Sequence, residues 1–207
     1  MGDIAAITAE VAGRLAAANE ARERGLAACR TVIRSASSAI RAVHLLDPEA
    51  AGTRLAHAEA ALDTARRALE PYPALVYAGF LHDAAKEYVE ARATVALVAG
   101  DPVPGPEQLG VDDPAWLNGL AEAASELRRH TLDRLRAGQL DRAEKLLACM
   151  DAVFGELVAI DAPDALTGGL RRTLDALRAV IERTRGDVTA AVLQERLRAA
   201  LARSDDD

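Results

Sequence analysis

The strongest constraint on the fold is an apolar stripe of helical spacing in the middle of the chain. Apolar residues recur there at steps of three and four, which place them on one face of an α-helix. No alternating run of Val, Ile or Thr bounded by turn residues occurs in the sequence, so strands are not predicted. We therefore predict an all-α protein whose central helix covers 74–99 and buries Tyr77, Leu81, Ala84, Tyr88, Ala91, Val95 and Val98.

The size and composition fit one helical domain. The chain has 207 residues, of which 50% are hydrophobic and only 3% aromatic, so its helices must pack through small residues such as alanine. A chain of this length can bury one sizeable core. We predict a single domain over 1–207, folded as an antiparallel bundle of about seven helices, with 204–207 as a frayed tail.

Prolines and glycines mark the ends of these helices. Asp47-Pro48 and Asp113-Pro114 read as helix starts, and Gly100, Gly138 and Gly186 read as stops. The segment 101–112 is the one long loop, with a short turn at 106–109, and we interpret it as an inserted connection. The predicted helices are 3–46, 48–69, 74–99, 113–137, 140–160, 164–185 and 187–202.

The first predicted helix carries a basic row beside its apolar seam. The seam consists of Leu26, Cys29, Ile33, Ala36, Ile40 and Val43. The row beside it consists of Arg30, Arg34, Ser37, Arg41 and His44. Such a row either lines a cleft or forms a solvated flank, and its spacing alone leaves both interpretations open.

The charge balance and the cysteines restrict the class of protein. A net charge of −7 argues against a surface coated in positive charge, but a local arginine cluster can still bind phosphate. Cys29 and Cys149 are isolated in apolar patterns, which predicts core thiols in a reducing compartment. Neither a signal peptide nor an apolar run of membrane-spanning length is visible, so we expect a cytoplasmic protein without a membrane partner.

Two pairs of carboxylates stand out on consecutive helices. Glu87 and Glu90 are spaced i,i+3, and Glu122 and Glu126 are spaced i,i+4. An antiparallel pairing of the two helices would bring both pairs to a shared edge, as an oxygen-only site for Mg²⁺ or Mn²⁺. Such an ion polarises a phosphoryl oxygen and lowers the pKa of bound water, which suits phosphodiester cleavage. The alternative is that these are ordinary surface glutamates that hold no metal.

Other chemistries lack their signatures. No Glu-x-x-His pattern supports a di-iron centre, and no Cys/His array supports zinc. A P-loop and a Rossmann glycine pattern are also absent from the sequence. The four histidines are interpreted as surface or satisfied polar groups: His44, His57, His82 and His130.

Two segments of the sequence resemble the translin family. Glu-Tyr-Val-Glu-Ala at 87–91 is similar to a segment of the translin-associated factor X branch. The run 116–129, Trp-Leu-Asn-Gly-Leu-Ala-Glu-Ala-Ala-Ser-Glu-Leu-Arg-Arg, resembles the next signature of that family. The resemblance implies a helical protomer that assembles into a closed oligomer, commonly an octamer, and binds single-stranded RNA or DNA inside. In the catalytic branch it also implies Mg²⁺-dependent RNA cleavage by acids at Glu87, Glu90, Glu122 and Glu126.

Two departures from that branch bear on activity. Glu122 stands where the branch usually has aspartate, and Ser125 stands where it often has glycine. A longer carboxylate shifts the position of a bound ion.

Three hypotheses follow from the sequence. The first is a Mg²⁺-dependent endoribonuclease acting on single-stranded RNA, and the second is a non-catalytic, oligomeric RNA- or DNA-binding protein. The third is a helical scaffold that binds only protein partners. In the first two, phosphates are held by Arg30, Arg34, Arg41 and Arg129.

Overall fold

Six long helices and three single-turn helices form the described part of the chain. This computed structural model describes residues 2–205, with side chains from 4 to 203. No strand occurs between residues 2 and 205, so the all-α prediction is confirmed. The helices are α1 (Gly2–His44), α2 (Pro48–Leu69), α3 (Pro73–Val76), α4 (Phe80–Ala99), α5 (Pro106–Leu109), α6 (Asp113–Arg136), α7 (Leu140–Val158), α8 (Asp164–Thr167) and α9 (Leu170–Asp205).

Helices α1 and α2 form an antiparallel hairpin whose second helix has the predicted bounds. The Asp47 side chain accepts a hydrogen bond of 2.9 Å from the Ala50 amide and so caps α2, and Pro48 fills its first position. At the other end of the hairpin, Gly25 of α1 lies directly against the Leu69 side chain of α2. The Asp47 cap fixes where the hairpin turns, and the contact between Gly25 and Leu69 holds α1 against the end of α2.

The buried face of α1 differs from the predicted seam. Cys29, Ala36 and Val43 are buried as expected, but Ile33 is exposed and Val32 is fully buried in its place. The reason is that α1 packs against both α2 and α4, so it buries a broad face rather than a narrow heptad row.

The central helix begins later than predicted. Gly79 adopts a positive φ of 94°, which separates the short α3 from α4 at Phe80. Tyr77 therefore lies outside the helix and is 86% exposed, so its assignment to the buried stripe was wrong. The stripe members Ala84, Tyr88 and Ala91 are buried as predicted.

Helices α4 and α6 run parallel, which corrects the antiparallel pairing predicted for them. His82, in the first turn of α4, lies 3.1 Å from Asp112, the N-cap of α6, so both helices begin at the same end. Farther along, Lys86 meets Glu122, and the two sequence numbers rise together. The acidic pairs still lie at one shared edge. In the parallel arrangement, residues of α4 lie beside residues of α6 that are about 36 positions later in the sequence, as Lys86 and Glu122 are.

The connection between these helices explains the parallel arrangement. A short loop forces an antiparallel pair, but the 13 residues from Gly100 to Asp112 can span roughly 43 Å when extended. Helix α4 has 20 residues and is roughly 30 Å long, so the connection can return to its start. On its way the chain is held by the Trp116 indole, which donates a hydrogen bond of 2.9 Å to the Pro104 carbonyl.

Four helices of the bundle share one direction. Thr173 of α9 donates a hydrogen bond of 2.6 Å to Asn118 near the start of α6, and Arg128 reaches Thr184 farther along both helices. Helix α1 likewise follows α4 through three successive clusters, which contain Cys29 with Ala84, Ala36 with Ala91, and Val43 with Val98. Helices α1, α4, α6 and α9 are thus parallel, and the α1–α2 and α6–α7 hairpins supply the antiparallel pairs.

Helix α9 is one long helix where the sequence predicted two, and the predicted start at 164 falls in the separate short helix α8. Gly186 does not end a helix and Asp187 does not begin one, because α9 continues through both to Asp205. Thr184 and Val188 are buried on either side of Gly186, and this packing outweighs the cost of about 1 kcal/mol for a helical glycine. The predicted tail begins inside this helix, and its residues Asp206 and Asp207 lie outside the described part of the chain.

The two cysteines are free thiols, as predicted. Burial raises the pKa of Cys29 to about 11, as expected for an inert core thiol. Cys149 is half-buried, and burial also raises its pKa. Within 2–205, every helix is too short or too polar to cross a membrane.

Gly119 sets the distance between α4 and α6. A Cβ atom at this position would lie 2.7 Å from the Lys86 carbonyl oxygen and 2.7 Å from Val89 Cβ, both too close for real contacts. The missing side chain therefore lets the backbones of the two helices approach each other next to the acidic residues.

We expect Gly119→Ala to destabilise the protein by about 2 kcal/mol, because α4 must move away from α6. Chemical denaturation measures the change in the free energy of unfolding. Gly155→Ala is the matched control, since its Cβ meets nothing within 4 Å in helix α7 and should slightly stabilise the helix. Equal stability of the two variants would contradict this role of Gly119.

Candidate metal centre

Three glutamates converge where α4 and α6 share an edge. Glu87, Glu90 and Glu122 each present one carboxylate oxygen, and these three oxygens lie within 4.8 Å of one another. All three side chains are half-buried. Between residues 4 and 203 this is the one cluster of three or more such groups, and it contains carboxylates alone. Hard oxygen donors of this kind suit Mg²⁺ or Mn²⁺. They do not suit a metal that requires histidine ligands.

The electrostatics of Glu90 show that the cluster carries excess negative charge. Burial and, after it, the charges of Glu122, Glu87 and Glu126 together raise the pKa of Glu90 from 4.5 to about 8. The charge of Lys86 lowers the pKa without offsetting these effects. Without a dication, Glu90 therefore holds a proton at neutral pH, whereas a bound dication would favour its charged form.

Lys86 supplies positive charge to the same cluster. Its Nζ atom donates hydrogen bonds of 2.8 and 2.6 Å to the two oxygens of Glu122 and lies 3.6 Å from Glu87 Oε1. Burial alone lowers the pKa of Lys86, but the hydrogen bond and charge of Glu122, with the charges of Glu87 and Glu90, outweigh burial and raise it. No role for Lys86 is predicted from the sequence, although it directly precedes Glu87.

Glu126 lies next to the cluster but has its own partner. Its Oε2 atom is 2.9 Å from Nε2 of His44, which lies in the last turn of α1. The His44 side chain is only 4% exposed, and its other ring nitrogen, Nδ1, is buried without a hydrogen-bond partner among residues 4–203. The sequence prediction placed four carboxylates in one group, whereas the structure brings together three and holds the fourth through His44.

The other histidines take structural positions. His82 pairs with the N-cap Asp112, and His57 is exposed on α2. His130 is buried, and its pKa is lowered by burial and by the charge of Arg134. His57 and His82 thus agree with the interpretation of the histidines as surface or satisfied groups. His130 does not, because it is buried and its Nδ1 atom has no hydrogen-bond partner among residues 4–203, and His44 contacts a candidate site residue.

The predicted phosphate-binding arginines lie outside the acidic cluster. Arg30, Arg34 and Arg41 are exposed on α1, and Arg129 is exposed on α6. Arg34 donates a hydrogen bond of 3.0 Å to Thr31 of its own helix. Among the ion pairs between residues 4 and 203 none involves these four guanidinium groups, so all four charges face solvent.

Comparison with solved structures decides the family. The structure of AfC3PO in complex with duplex RNA is 34% identical in sequence to this chain, with a TM-score of 0.83. The match covers 90% of this chain and 97% of AfC3PO. The chain belongs to the translin family. A second AfC3PO structure matches at 32% identity and a TM-score of 0.82 over the same shares of both chains.

More distant comparisons support the fold of this translin-family protein. NeC3PO, in its apo form, has a TM-score of 0.79 at 20% identity, over 89% of this chain and 96% of that one. The protein MJ0175 of Methanocaldococcus jannaschii is 25% identical over 190 residues, which cover 91% of this chain and 84% of the relative. No family profile matches the chain.

The two departures from the catalytic branch can now be placed in the fold of this translin-family protein. Glu122 is the acid that Lys86 binds, so its longer side chain lies within the cluster. The Ser125 hydroxyl donates a hydrogen bond of 3.3 Å to the Ala121 carbonyl of its own helix. Ser125 is therefore satisfied locally.

Proposed function

We propose that this protein is a Mg²⁺-dependent endoribonuclease that acts on single-stranded RNA within a closed oligomeric shell. The observation that carries the proposal is the convergence of Glu87, Glu90 and Glu122 from two parallel helices. When bound, Mg²⁺ or Mn²⁺ supplies Lewis-acid stabilisation of charge on the phosphate and activation of water. The three carboxylates hold the ion, and their half-buried setting strengthens each electrostatic contact.

Glu126 remains part of the proposed catalytic and metal-binding set. Its charge acts on Glu90, so it lies within electrostatic range of the cluster. His44 holds the Glu126 carboxylate through the 2.9 Å contact and so restricts its orientation. Partners of this kind fix the direction in which a carboxylate approaches a metal.

The arginine row provides the proposed contact with the RNA backbone. Arg30, Arg34 and Arg41 follow one another on α1, and Arg129 adds a charge from α6. Exposed guanidinium groups bind phosphate with two donors and release counterions, so binding should weaken steeply with salt. In this proposal the acidic residues cleave the RNA, and the arginines bind it.

The solved relative supports RNA as the ligand. AfC3PO forms a complex with duplex RNA and shares 34% of its sequence with this chain. Self-association is supported by apolar side chains that the single chain leaves exposed in the first turns of α1 and the last turns of α9. These exposed residues are Ile4, Ile7, Val11 and Leu15 on α1, and Leu193, Leu197 and Leu201 on α9. An octamer is the assembly that the family resemblance implies.

A second candidate function is non-catalytic binding of single-stranded RNA or DNA. The observation that favours it is that protein groups already contact two of the four acids. Lys86 binds Glu122, and His44 binds Glu126. The acidic residues could then be structural, and RNA would be retained without being cut.

One incubation separates these functions. We expect purified protein to cut labelled single-stranded RNA with Mg²⁺ and to leave it intact with a chelator, because the carboxylates need the dication. Duplex RNA and single-stranded DNA are the comparison substrates. Retention of RNA without Mg²⁺-dependent products would support the binding function instead, and failure to bind any oligonucleotide at low salt would favour a protein scaffold.

A further inference from the structure

The position of Lys86 in the glutamate cluster carries a further inference, which rests on the proposed metal site. The Nζ atom contacts both oxygens of Glu122, at 2.8 and 2.6 Å, and lies 3.6 Å from Glu87 Oε1. The three candidate ligand oxygens are themselves within 4.8 Å of one another. The ammonium group of Lys86 is therefore bound to the one carboxylate that α6 contributes to the cluster.

The backbone of Lys86 cannot withdraw to make room for an ion. Its carbonyl oxygen lies where α4 meets Gly119, at the closest approach of the two helices. The side chain, in contrast, has four flexible methylene groups and a single charged end. Any relocation of the positive charge must therefore come from rotation of the side chain.

An ammonium and a dication compete for this position. A dication among the three oxygens would lie within a few ångströms of Nζ, and the repulsion between like charges is strong in a half-buried site. The ammonium also contacts both oxygens of Glu122, so it occupies the position from which an ion could bind that carboxylate through both oxygens. We propose that Lys86 is the specificity-determining residue of the site, whose ammonium holds Glu122 until a dication displaces it.

The competition favours dications over monovalent ions. A monovalent ion carries no more charge than the ammonium that it would displace, so its electrostatic attraction to the carboxylates is no stronger. A dication brings twice the charge to the same three oxygens. Mg²⁺ or Mn²⁺ can thus displace the Lys86 ammonium from Glu122, whereas Na⁺ or K⁺ cannot.

The test is a Mn²⁺ titration of the full-length protein, the Lys86→Met variant and the Lys145→Met variant, read by paramagnetic resonance at pH 8.5. Lys145 is the other lysine of the chain and is exposed on α7, so it is the matched control. We expect Lys86→Met to bind Mn²⁺ at least tenfold more tightly than wild type, and Lys145→Met to match wild type. Equal or weaker binding by Lys86→Met would overturn the role of Lys86 and leave the metal site standing. Absence of binding in both wild type and Lys86→Met would overturn the metal site as well.

Lysine acylation of the wild-type protein provides a second readout that needs no variant. Mass spectrometry can follow both lysines in one sample because the chain has only two. We expect Mn²⁺ to increase labelling of Lys86 severalfold, since the amino group leaves Glu122, and to leave labelling of Lys145 unchanged. Unchanged or reduced labelling of Lys86 at saturating Mn²⁺ would overturn the proposal.

Discussion

Glu90→Gln and Glu122→Gln should each lower RNA cleavage roughly 10³-fold and abolish measurable Mn²⁺ binding. Each change keeps the shape of the side chain and removes one anionic oxygen from the cluster. Loss of about 4 kcal/mol of charge stabilisation at the phosphate corresponds to this decrease in rate. Cleavage of labelled single-stranded RNA and Mn²⁺ titration measure the two effects.

The control for these variants is Glu156→Gln, an exposed glutamate on α7 that should leave cleavage and metal binding unchanged. RNA retention by the glutamine variants should also persist, because the arginine row lies outside the cluster. Glu126→Gln should also abolish cleavage, because Glu126 belongs to the proposed catalytic and metal-binding set. Wild-type cleavage by Glu90→Gln would exclude the cluster from catalysis.

The metal-free protein should lose stability as the pH rises from 5 to 8.5. The folded-state pKa of Glu90 is raised to about 8, above the 4.5 of the unfolded chain. The folded protein therefore keeps a proton that the unfolded chain releases. This contribution to the free energy of unfolding is complete below about pH 4.5 and is lost as the pH rises through 8. We expect a loss of about 4 kcal/mol, measured by denaturation in chelator.

Comparison with Glu90→Gln isolates this contribution. The lowered pKa of His130 acts with the opposite sign, because below pH 6.5 the unfolded chain binds a proton that the folded protein binds less readily. The difference between wild type and Glu90→Gln removes that common contribution. We expect the variant to be the more stable protein at pH 8.5 and Mn²⁺ to raise the stability of wild type most at high pH. Identical pH dependence of the two proteins would contradict the charge repulsion inferred at Glu90.

Local signals in the sequence predicted the helices but not all of their ends. Asp47-Pro48 fixed the start of α2 because the cap and the proline act within one turn. Gly79 and Gly186 were harder to interpret. The first breaks the chain before α4, and the second lies inside α9, where buried neighbours on both sides hold the helix together. A glycine ends a helix only when the surrounding contacts permit it.

The candidate site was predicted in part for similar reasons. The spacing of Glu87 and Glu90 placed them on one face of a helix, and the structure brings Glu122 to them. Helix α6 runs parallel to α4 because the loop between them is long enough to return to the start of α4. The spacing of apolar residues within a helix carries no information about this direction. The roles of Lys86 and His44 depend on contacts with residues 36 and 82 positions away. Contacts at such separations follow from the packing of the helices and not from local pattern.

In the proposed function, α4 and α6 together supply the glutamates that hold one dication. Crystals soaked in Mn²⁺ and measured at the manganese absorption edge test this claim most directly. The predicted result is an anomalous peak bounded by carboxylate oxygens of Glu87, Glu90 and Glu122, with Lys86 Nζ moved away from Glu122. A saturating soak that gives no peak among these three residues, with Lys86 still bound to Glu122, would contradict it.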